Sequence, residues 1–212
     1  EKEMTFKEEH YKIIKEVIPT TVANFIYAYF INKRRSASYL FSKNLISPHA
    51  LEWGSFSDSQ VPNSYAMYGD IVMDTLLEQL KPRMEGETNL KLIETYSYAR
   101  IYNKGNNLTR HKDRDSCQIS TTLNLGGDTW PIFLEPSGEI DKEGVKVSLS
   151  PGDMLIYKGC HVEHWREPFE GEICAQVFLH YNDLNSELGE KNKYDNRPFI
   201  GLPEFIKEYK TE

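Results

Sequence analysis

The chain has 212 residues, of which 39% are hydrophobic and 12% aromatic, and its formal net charge is -7. This length predicts one domain with a sizeable core. The acidic balance argues against broad electrostatic binding to nucleic acid or to an anionic membrane. The three cysteines lack a Cys-x-x-Cys pair, which argues against a disulfide scaffold and favours a reducing, cytoplasmic compartment.

The longest strongly apolar stretch, from Val22 to Ile31, is interrupted by Asn24 and is too short to span a bilayer. No charged and then apolar leader precedes this stretch. We therefore expect no membrane partner.

The first ninety residues are predicted to be mainly helical. Apolar side chains recur at helical spacing over residues 6–17. A second helix is expected to begin at Thr20 or Thr21 and to run through Ile31, because it ends in the basic run 33–35, which suits a helix C-terminus.

A third helix is predicted over residues 66–80, where apolar residues repeat at helical spacing until Pro82. The stretch 36–63 before it is polar and contains few periodic apolar residues. Such a long segment is expected to be a loop, and it is a candidate lid.

From about residue 91 the pattern changes to short strands separated by Gly and Pro turn signals. Helices followed by short strands predict an α+β fold with a double-stranded β-helix, or jelly roll, and N-terminal supporting helices. Within one domain we expect a helical support (1–90), a jelly-roll core (91–185) and a C-terminal extension (186–212) with a short helix over 202–209. The predicted strands are 91–102, 118–125, 130–135, 145–149, 154–157 and 173–181.

Two histidines and one aspartate predict a three-ligand metal face. His111 and Asp113 are two residues apart, so in an extended segment their side chains point to the same side of the backbone. Asp115 also follows His111, but a step of four residues needs a helical turn, which the surrounding signals do not support. Two imidazoles and one carboxylate with open positions opposite them are typical of non-haem Fe(II) oxygenases.

The third ligand is expected from two later histidines, His161 and His164. They are three residues apart and face opposite sides of an extended segment, so only one is expected to reach the metal. The residues before His161, Lys158-Gly159-Cys160, are typical of a turn.

Four motifs resemble, in their order, those of the prolyl 4-hydroxylase-like Fe(II)/2-oxoglutarate oxygenases. In that family the distal histidine is commonly followed four residues later by Pro and soon afterwards by Gly, which fits His164 with Pro168 and Gly171 and does not fit His161. The resemblance covers about residues 96–182. Its motifs are Tyr102-Asn103-Lys104-Gly105, His111-Lys112-Asp113, Leu123-Asn124-Leu125 and Pro151-Gly152-Asp153-Met154-Leu155-Ile156-Tyr157.

The resemblance implies that His111, Asp113 and His164 hold Fe(II). It also implies that 2-oxoglutarate chelates the metal, that O₂ takes the last position, and that Tyr102 could donate a hydrogen bond to the co-substrate. Ascorbate is a possible supporting reductant.

One feature departs from the family pattern. The family usually places an Arg or Lys after the distal histidine to pair with the far carboxylate of 2-oxoglutarate, and residues 172–177 contain neither. Arg166 is expected to replace it, because it lies two residues from His164 and a guanidinium can bind a carboxylate with two hydrogen bonds. Arg100 and Lys158 are the next candidates.

Three functions remain open at this stage. The first is hydroxylation of a peptidyl residue, most simply proline, with a peptide or protein as partner. The second is the same chemistry on a small molecule or a nucleobase, and the third is a metal-binding jelly roll without turnover. Trp130 and Trp165 are candidates for the lining of a substrate groove, although large aromatic residues of a β-domain are more often core.

Overall fold

The computed structural model describes residues 4–209, in which ten strands form two antiparallel sheets. The predicted α+β jelly roll is confirmed. The strands are β1 (Tyr11–Ile14), β2 (Tyr65–Tyr68), β3 (Leu92–Asn103), β4 (Leu108–His111), β5 (Ile119–Gly127), β6 (Ile132–Glu135), β7 (Val145–Val147), β8 (Met154–Tyr157), β9 (Glu163–Arg166) and β10 (Ile173–Asp183).

The larger sheet has the order β1-β8-β5-β10-β3-β2 and the smaller sheet has the order β4-β9-β6-β7. Alternate residues of a strand face opposite sides, and the two faces of the larger sheet differ in chemistry. On β5, Leu123 and Leu125 belong to the main apolar core with the helices, whereas Thr122 and Asn124 are buried on the other face. The space between the two sheets is therefore partly polar.

Within the described residues, three α-helices accompany the sheets: α1 (Phe6–Glu9), α2 (Thr20–Ser42) and α3 (Ile71–Thr88). The start of α3 is fixed by Asp70, whose carboxylate accepts hydrogen bonds from the backbone N–H groups of Val72 (3.0 Å) and Met73 (3.2 Å). Helix α3 is capped at its C-terminus by Asn89, which adopts the left-handed conformation with φ 57°.

The predicted helix over residues 6–17 is wrong beyond its first turn. Helix α1 ends at Glu9, its C-cap residue His10 has φ 68°, and the chain then forms β1. Strand β1 pairs with β8, from Tyr11 opposite Tyr157 to Ile14 opposite Met154. The apolar spacing could not reveal this because the partner strand lies far away in the sequence.

Two other boundaries differ from the prediction. Helix α2 continues to Ser42, so the loop begins later than residue 36, and residues 65–68 form β2 rather than the start of a helix. Pro82 lies inside α3 and does not end it. A proline there costs one backbone hydrogen bond, and the burial of Met84 and Thr88 after it favours continuation of the helix.

The C-terminal segment is joined to the core by a buried ion pair. Nη1 of Arg197 lies 2.9 Å from Oδ2 of Asp74, and both side chains are fully buried. The other carboxylate oxygen of Asp74 accepts hydrogen bonds from the N–H and hydroxyl groups of Ser97 on β3. The expected short C-terminal helix is present as the 3-10 helix Glu204–Tyr209. Among residues 4–209, no helix is both long and apolar enough to cross a membrane.

Candidate metal centre

Strands β4 and β9, which the sequence pattern did not predict, bring the two candidate histidines together. His111 lies directly opposite His164 in this pairing, and their ring centroids are 4.3 Å apart. Asp113 follows β4, and its Oδ1 is 3.1 Å from Nε2 of His164 and 3.4 Å from Nε2 of His111. The three potential ligand atoms lie within 4.8 Å of one another.

Backbone carbonyls fix the orientation of both imidazoles. Nδ1 of His111 lies 2.7 Å from the carbonyl oxygen of Thr109, and Nδ1 of His164 lies 3.0 Å from that of Val162. A carbonyl only accepts hydrogen bonds, so each Nδ1 carries the hydrogen and each neutral imidazole directs its Nε2 lone pair towards Asp113. This is the usual orientation of metal-binding histidines.

The electrostatics of the three groups favour a cation between them. Burial of Asp113 by itself raises its pKa, but the charge of His164 and hydrogen bonds with both histidines outweigh burial and hold the pKa far below its ordinary value. Burial lowers the pKa of His111, but its hydrogen bonds to Asp113 and Thr109 raise it more. A proton therefore competes for the same atoms as a metal ion, and metal binding weakens as the pH falls.

The second carboxylate oxygen of Asp113 is held by residues that the sequence analysis missed. The Ser120 hydroxyl donates to Oδ2 of Asp113 (2.8 Å) and is 2.9 Å from Nδ1 of His180. Burial lowers the pKa of His180 to about 4, so this imidazole is neutral at pH 7. One feature of the sequence could have indicated His180. Side chains alternate between the two faces of β10, and this alternation places His180 on the same face as Gln176.

A thiol lies next to Asp113 and His180. Cys117 lies with Asp113 and His180 in a second group of potential ligand atoms within 4.8 Å. Burial raises the pKa of the Cys117 thiol well above its ordinary value, which keeps it protonated at neutral pH and disfavours it as a ligand.

A cavity of about 360 Å³ opens over the three candidate ligands. Its volume lies at the lower end of the usual range for small-molecule sites. Aromatic and charged side chains form its walls, namely Tyr96, Tyr98, Tyr157 and Phe178 together with Asp58, Arg100, Lys112 and Arg114.

Arg166 is buried on the same face of β9 as His164. Its Nη1 donates to the carbonyl oxygen of Trp130 (2.7 Å) and its Nη2 to Oγ1 of Thr122 (3.3 Å). Its Nε has no hydrogen-bond partner, and no carboxylate in the described part of the chain pairs with this guanidinium. Arg166 is thus a buried cation without an anion, although it is not among the residues that line the cavity.

Tyr102 is also fully buried and does not line the cavity. Its ring packs against Trp130, and its hydroxyl oxygen accepts a hydrogen bond of 3.1 Å from Nη1 of Arg100. Arg100 does line the cavity, and its Nη2 is paired with Oδ2 of Asp58 at 2.6 Å. The two candidate arginines therefore differ: Arg100 reaches the cavity but has a counter-ion, and Arg166 has none.

Several other candidates lie away from the three ligands. His161 is exposed and packs edge-on against His10. Neither candidate tryptophan lines the cavity over the three ligands. Trp130 is buried in an apolar cluster, which is the core role that is more common for large aromatic residues, and the half-buried Trp165 stacks on Phe133 of the smaller sheet.

Two further candidates are also placed by the structure. Asp115 begins the 3-10 helix Asp115–Cys117 and is not in either group of potential metal ligands. Lys158 lines a different cavity, next to His161, and its Nζ donates to the carbonyl oxygen of Lys7.

No family model and no curated protein matches the chain, but solved structures share its fold. A Pseudomonas putida prolyl-4-hydroxylase is 15% identical, with a TM-score of 0.57 over 84% of this chain and 95% of that chain. A Trichoplax adhaerens prolyl hydroxylase in complex with a hypoxia inducible factor peptide fragment is 15% identical, with a TM-score of 0.55 over 86% of this chain and 90% of that chain.

A third similar structure is HygX from Streptomyces hygroscopicus with nickel and 2-oxoglutarate bound. It is 13% identical, with a TM-score of 0.55 over 84% of each chain. At these identities the likeness establishes the jelly-roll fold, in agreement with the resemblance of the sequence motifs.

We expect the protein to bind one divalent first-row metal ion through His111, Asp113 and His164. His111→Ala or His164→Ala should weaken metal binding by more than about 100-fold. Even the loss of a residue that only hydrogen-bonds to a metal ligand lowers metal affinity by about 10–100-fold. Calorimetric titration with Mn(II) or Co(II) measures the affinity. The matched control is His161→Ala, which should bind like the wild type. Loss of metal in His161→Ala but not in His164→Ala would show that the distal ligand is assigned incorrectly.

We also expect the metal-free protein to lose stability as the pH falls from about 6.5 to about 4. The unfolded chain takes up the His180 proton near pH 6.5, whereas the folded protein does so only near a pKa of about 4. Stability from neutral His180 is thus fully present above pH 6.5, and about 3 kcal/mol of it is lost on acidification. Urea unfolding at several pH values should show a flatter dependence for His180→Gln, and parallel curves would contradict this expectation.

Proposed function

We propose that the protein is an Fe(II)- and 2-oxoglutarate-dependent dioxygenase. The observation that carries the proposal is the convergence of two Nε2 lone pairs and one carboxylate, from His111, His164 and Asp113, at the wall of a small cavity. This ligand set suits Fe(II) and leaves coordination positions open. With Fe(II) bound, 2-oxoglutarate and O₂ would be converted to succinate and CO₂ while one oxygen atom enters a C–H bond of the substrate.

We infer that Arg166 binds the far carboxylate of 2-oxoglutarate. A buried charge without a partner costs several kcal/mol, and a carboxylate placed at the unpartnered Nε would remove that cost. The guanidinium of Arg100 is already compensated by Asp58. Tyr102 lies next to both arginines, and its hydroxyl accepts from Arg100, which leaves its own proton for a co-substrate oxygen.

The substrate we propose is a peptidyl proline in an extended peptide. Two of the similar structures are prolyl hydroxylases, one of them with a peptide fragment bound. The acidic balance of this chain is compatible with a neutral or basic peptide and disfavours nucleic acid.

The compartment that we propose is the cytoplasm, because the free thiols at Cys117, Cys160 and Cys174 suit a reducing environment.

Oxidation of a small molecule by the same site is the second candidate. It is favoured by the small volume of the cavity, about 360 Å³, and by Gln60, a lining residue whose side-chain amide nitrogen lies 3.4 Å from Nε2 of His111. Another similar structure, an α-ketoglutarate-dependent epimerase from nogalamycin biosynthesis, belongs to small-molecule metabolism (14% identity, TM-score 0.58).

We expect Arg166→Met to weaken 2-oxoglutarate binding by about 10-fold or more, because hydrogen bonds to a charged group contribute 1.5–3 kcal/mol. Metal affinity should remain unchanged, since the ion pair lies at the far end of the co-substrate. The Mn(II)-loaded protein, titrated with 2-oxoglutarate without O₂, provides the measurement. Arg110→Met is the control, because Arg110 lies outside the cavity over Trp165. Wild-type affinity in Arg166→Met with loss in Arg100→Met would identify Arg100 as the partner.

The proposed reaction is tested by anaerobic loading with Fe(II), 2-oxoglutarate and ascorbate, followed by exposure to O₂. Succinate should form in the wild type and not in His164→Ala. Mass spectrometry of proline-containing peptides should show a gain of one oxygen atom on proline. Succinate formation with an unmodified peptide panel and an oxidised metabolite or nucleoside would transfer the assignment to a small molecule. Metal binding without any succinate would leave a metal-binding jelly roll without turnover.

A further inference from the structure

Residues 55–63, which we term the strap, contribute Asp58 and Gln60 to the wall of the cavity and are fixed at both ends. At one end, Ser55 and Ala66 exchange two backbone hydrogen bonds, of 2.8 and 2.9 Å. At the other end, the side-chain amide of Asn103 donates to the carbonyl oxygen of Asn63 at 2.7 Å. The strap is thus attached to β2 and to the end of β3.

The middle of the strap is anchored by a buried ion pair. Asp58 receives hydrogen bonds from Nη2 of Arg100 (2.6 Å) and from the Tyr98 hydroxyl (2.7 Å), and the Asp58 and Arg100 side chains are only 7% and 4% exposed. The second carboxylate oxygen of Asp58 accepts from the backbone N–H of Gln60 at 2.8 Å. These contacts of Asp58 therefore fix the position of Gln60, which lies two residues later in the chain.

The side chain of Gln60 has a fixed orientation for a chemical reason. Its Oε1 accepts a hydrogen bond of 2.9 Å from Nη2 of Arg100. A guanidinium only donates, so the amide oxygen must face Arg100 and the amide NH₂ group must point the other way. That NH₂ nitrogen lies 3.4 Å from Nε2 of His111, the atom that carries the free lone pair.

We propose that Gln60 contacts the ligand at the open face of the metal site and donates a hydrogen bond to a carbonyl or carboxylate oxygen bound there. A metal ion would take the lone pair of His111, which is the acceptor that the NH₂ group faces in the metal-free protein. The NH₂ group would then point at whatever else the metal holds. Because a donor selects an acceptor, Gln60 favours ligands with an oxygen atom at this place.

An exposed glutamine is usually a solvated surface residue, and Gln60 is exposed as a whole residue. A solvated amide, however, needs no buried guanidinium to orient its oxygen. The burial of Arg100 and its three separate acceptors, Asp58, Gln60 and Tyr102, distinguish this amide from an ordinary surface side chain.

The inference rests on the metal site of the proposed function but not on its reaction. The oxygen atom could belong to the co-substrate or to the substrate, and the experiment separates these sources. Co(II)-loaded wild type and Gln60→Ala are titrated without O₂, first with acetate as a simple carboxylate and then with 2-oxoglutarate, and the visible Co(II) spectrum reports binding. Gln60→Glu and the exposed neighbour variant Ser59→Ala complete the series.

We expect Gln60→Ala to bind Co(II) as the wild type does and to bind acetate about 10-fold more weakly, the lower end for a hydrogen bond to a charged group. Gln60→Glu should lose more affinity for acetate, because it places a negative charge beside an anionic ligand. Ser59→Ala should match the wild type. Weaker 2-oxoglutarate binding by the same factor assigns the oxygen to the co-substrate.

A different result for Gln60→Ala assigns the oxygen to the substrate. In that case acetate binds more weakly, the affinity for 2-oxoglutarate is unchanged, and more succinate forms than peptide is oxidised. Equal acetate affinity in Gln60→Ala and the wild type overturns the proposal. Absence of 2-oxoglutarate binding to the wild type contradicts the proposed function instead, and the acetate titration still tests Gln60.

Discussion

The close approach of three electron-rich atoms is the constraint on which the structure around the cavity depends. The ligand atoms of two imidazoles and a carboxylate lie within 4.8 Å of one another, where hydrogen bonds from the histidines to Asp113, or a bound metal ion, offset their repulsion. This arrangement persists because each group is held from behind, by the carbonyls of Thr109 and Val162 and by the Ser120 hydroxyl. The ordering cost of the ligands is thus met during folding, so a cation meets a preformed site.

Part of this site follows from local sequence chemistry. The two-residue step from His111 to Asp113 predicts that their side chains point to the same side. The choice of His164 over His161 rests instead on the resemblance to the oxygenase family, in which Pro and Gly follow the distal histidine at the spacing of Pro168 and Gly171. The strands that carry the two histidines were not predicted, because β4 and β9 have four residues each, several of them charged, and exist only as partners of each other. Strand β1 depends in the same way on β8. Pairing across long sequence separations is information that no local pattern contains.

Charge compensation distinguishes the arginines of the interior, and the sequence could not indicate it. Arg197 pairs with Asp74, more than a hundred residues away, and Arg100 pairs with Asp58. Arg166, equally buried, contacts only a carbonyl and a hydroxyl. The other two buried arginines are compensated by carboxylates within the chain, and this difference is what supports the proposal that Arg166 binds an external anion. In the sequence, Arg166 is a candidate because the resembled family needs a cation after the distal histidine and Arg166 lies two residues from His164. Its missing counter-ion is an independent physical observation that supports the proposal.

The topology of the larger sheet has a consequence for how the chain folds. Its last strand in the sequence, β10, lies between β5 and β3 and pairs with both along most of its length. Before residues 173–183 are synthesised, β3 and β5 lack the neighbour that joins them, and their apolar faces lack a continuous sheet on which the helices can pack. Contacts of such high sequence separation slow folding. During translation the nascent chain therefore exposes unpaired strand edges until β10 emerges, and this interval is the stage most exposed to aggregation.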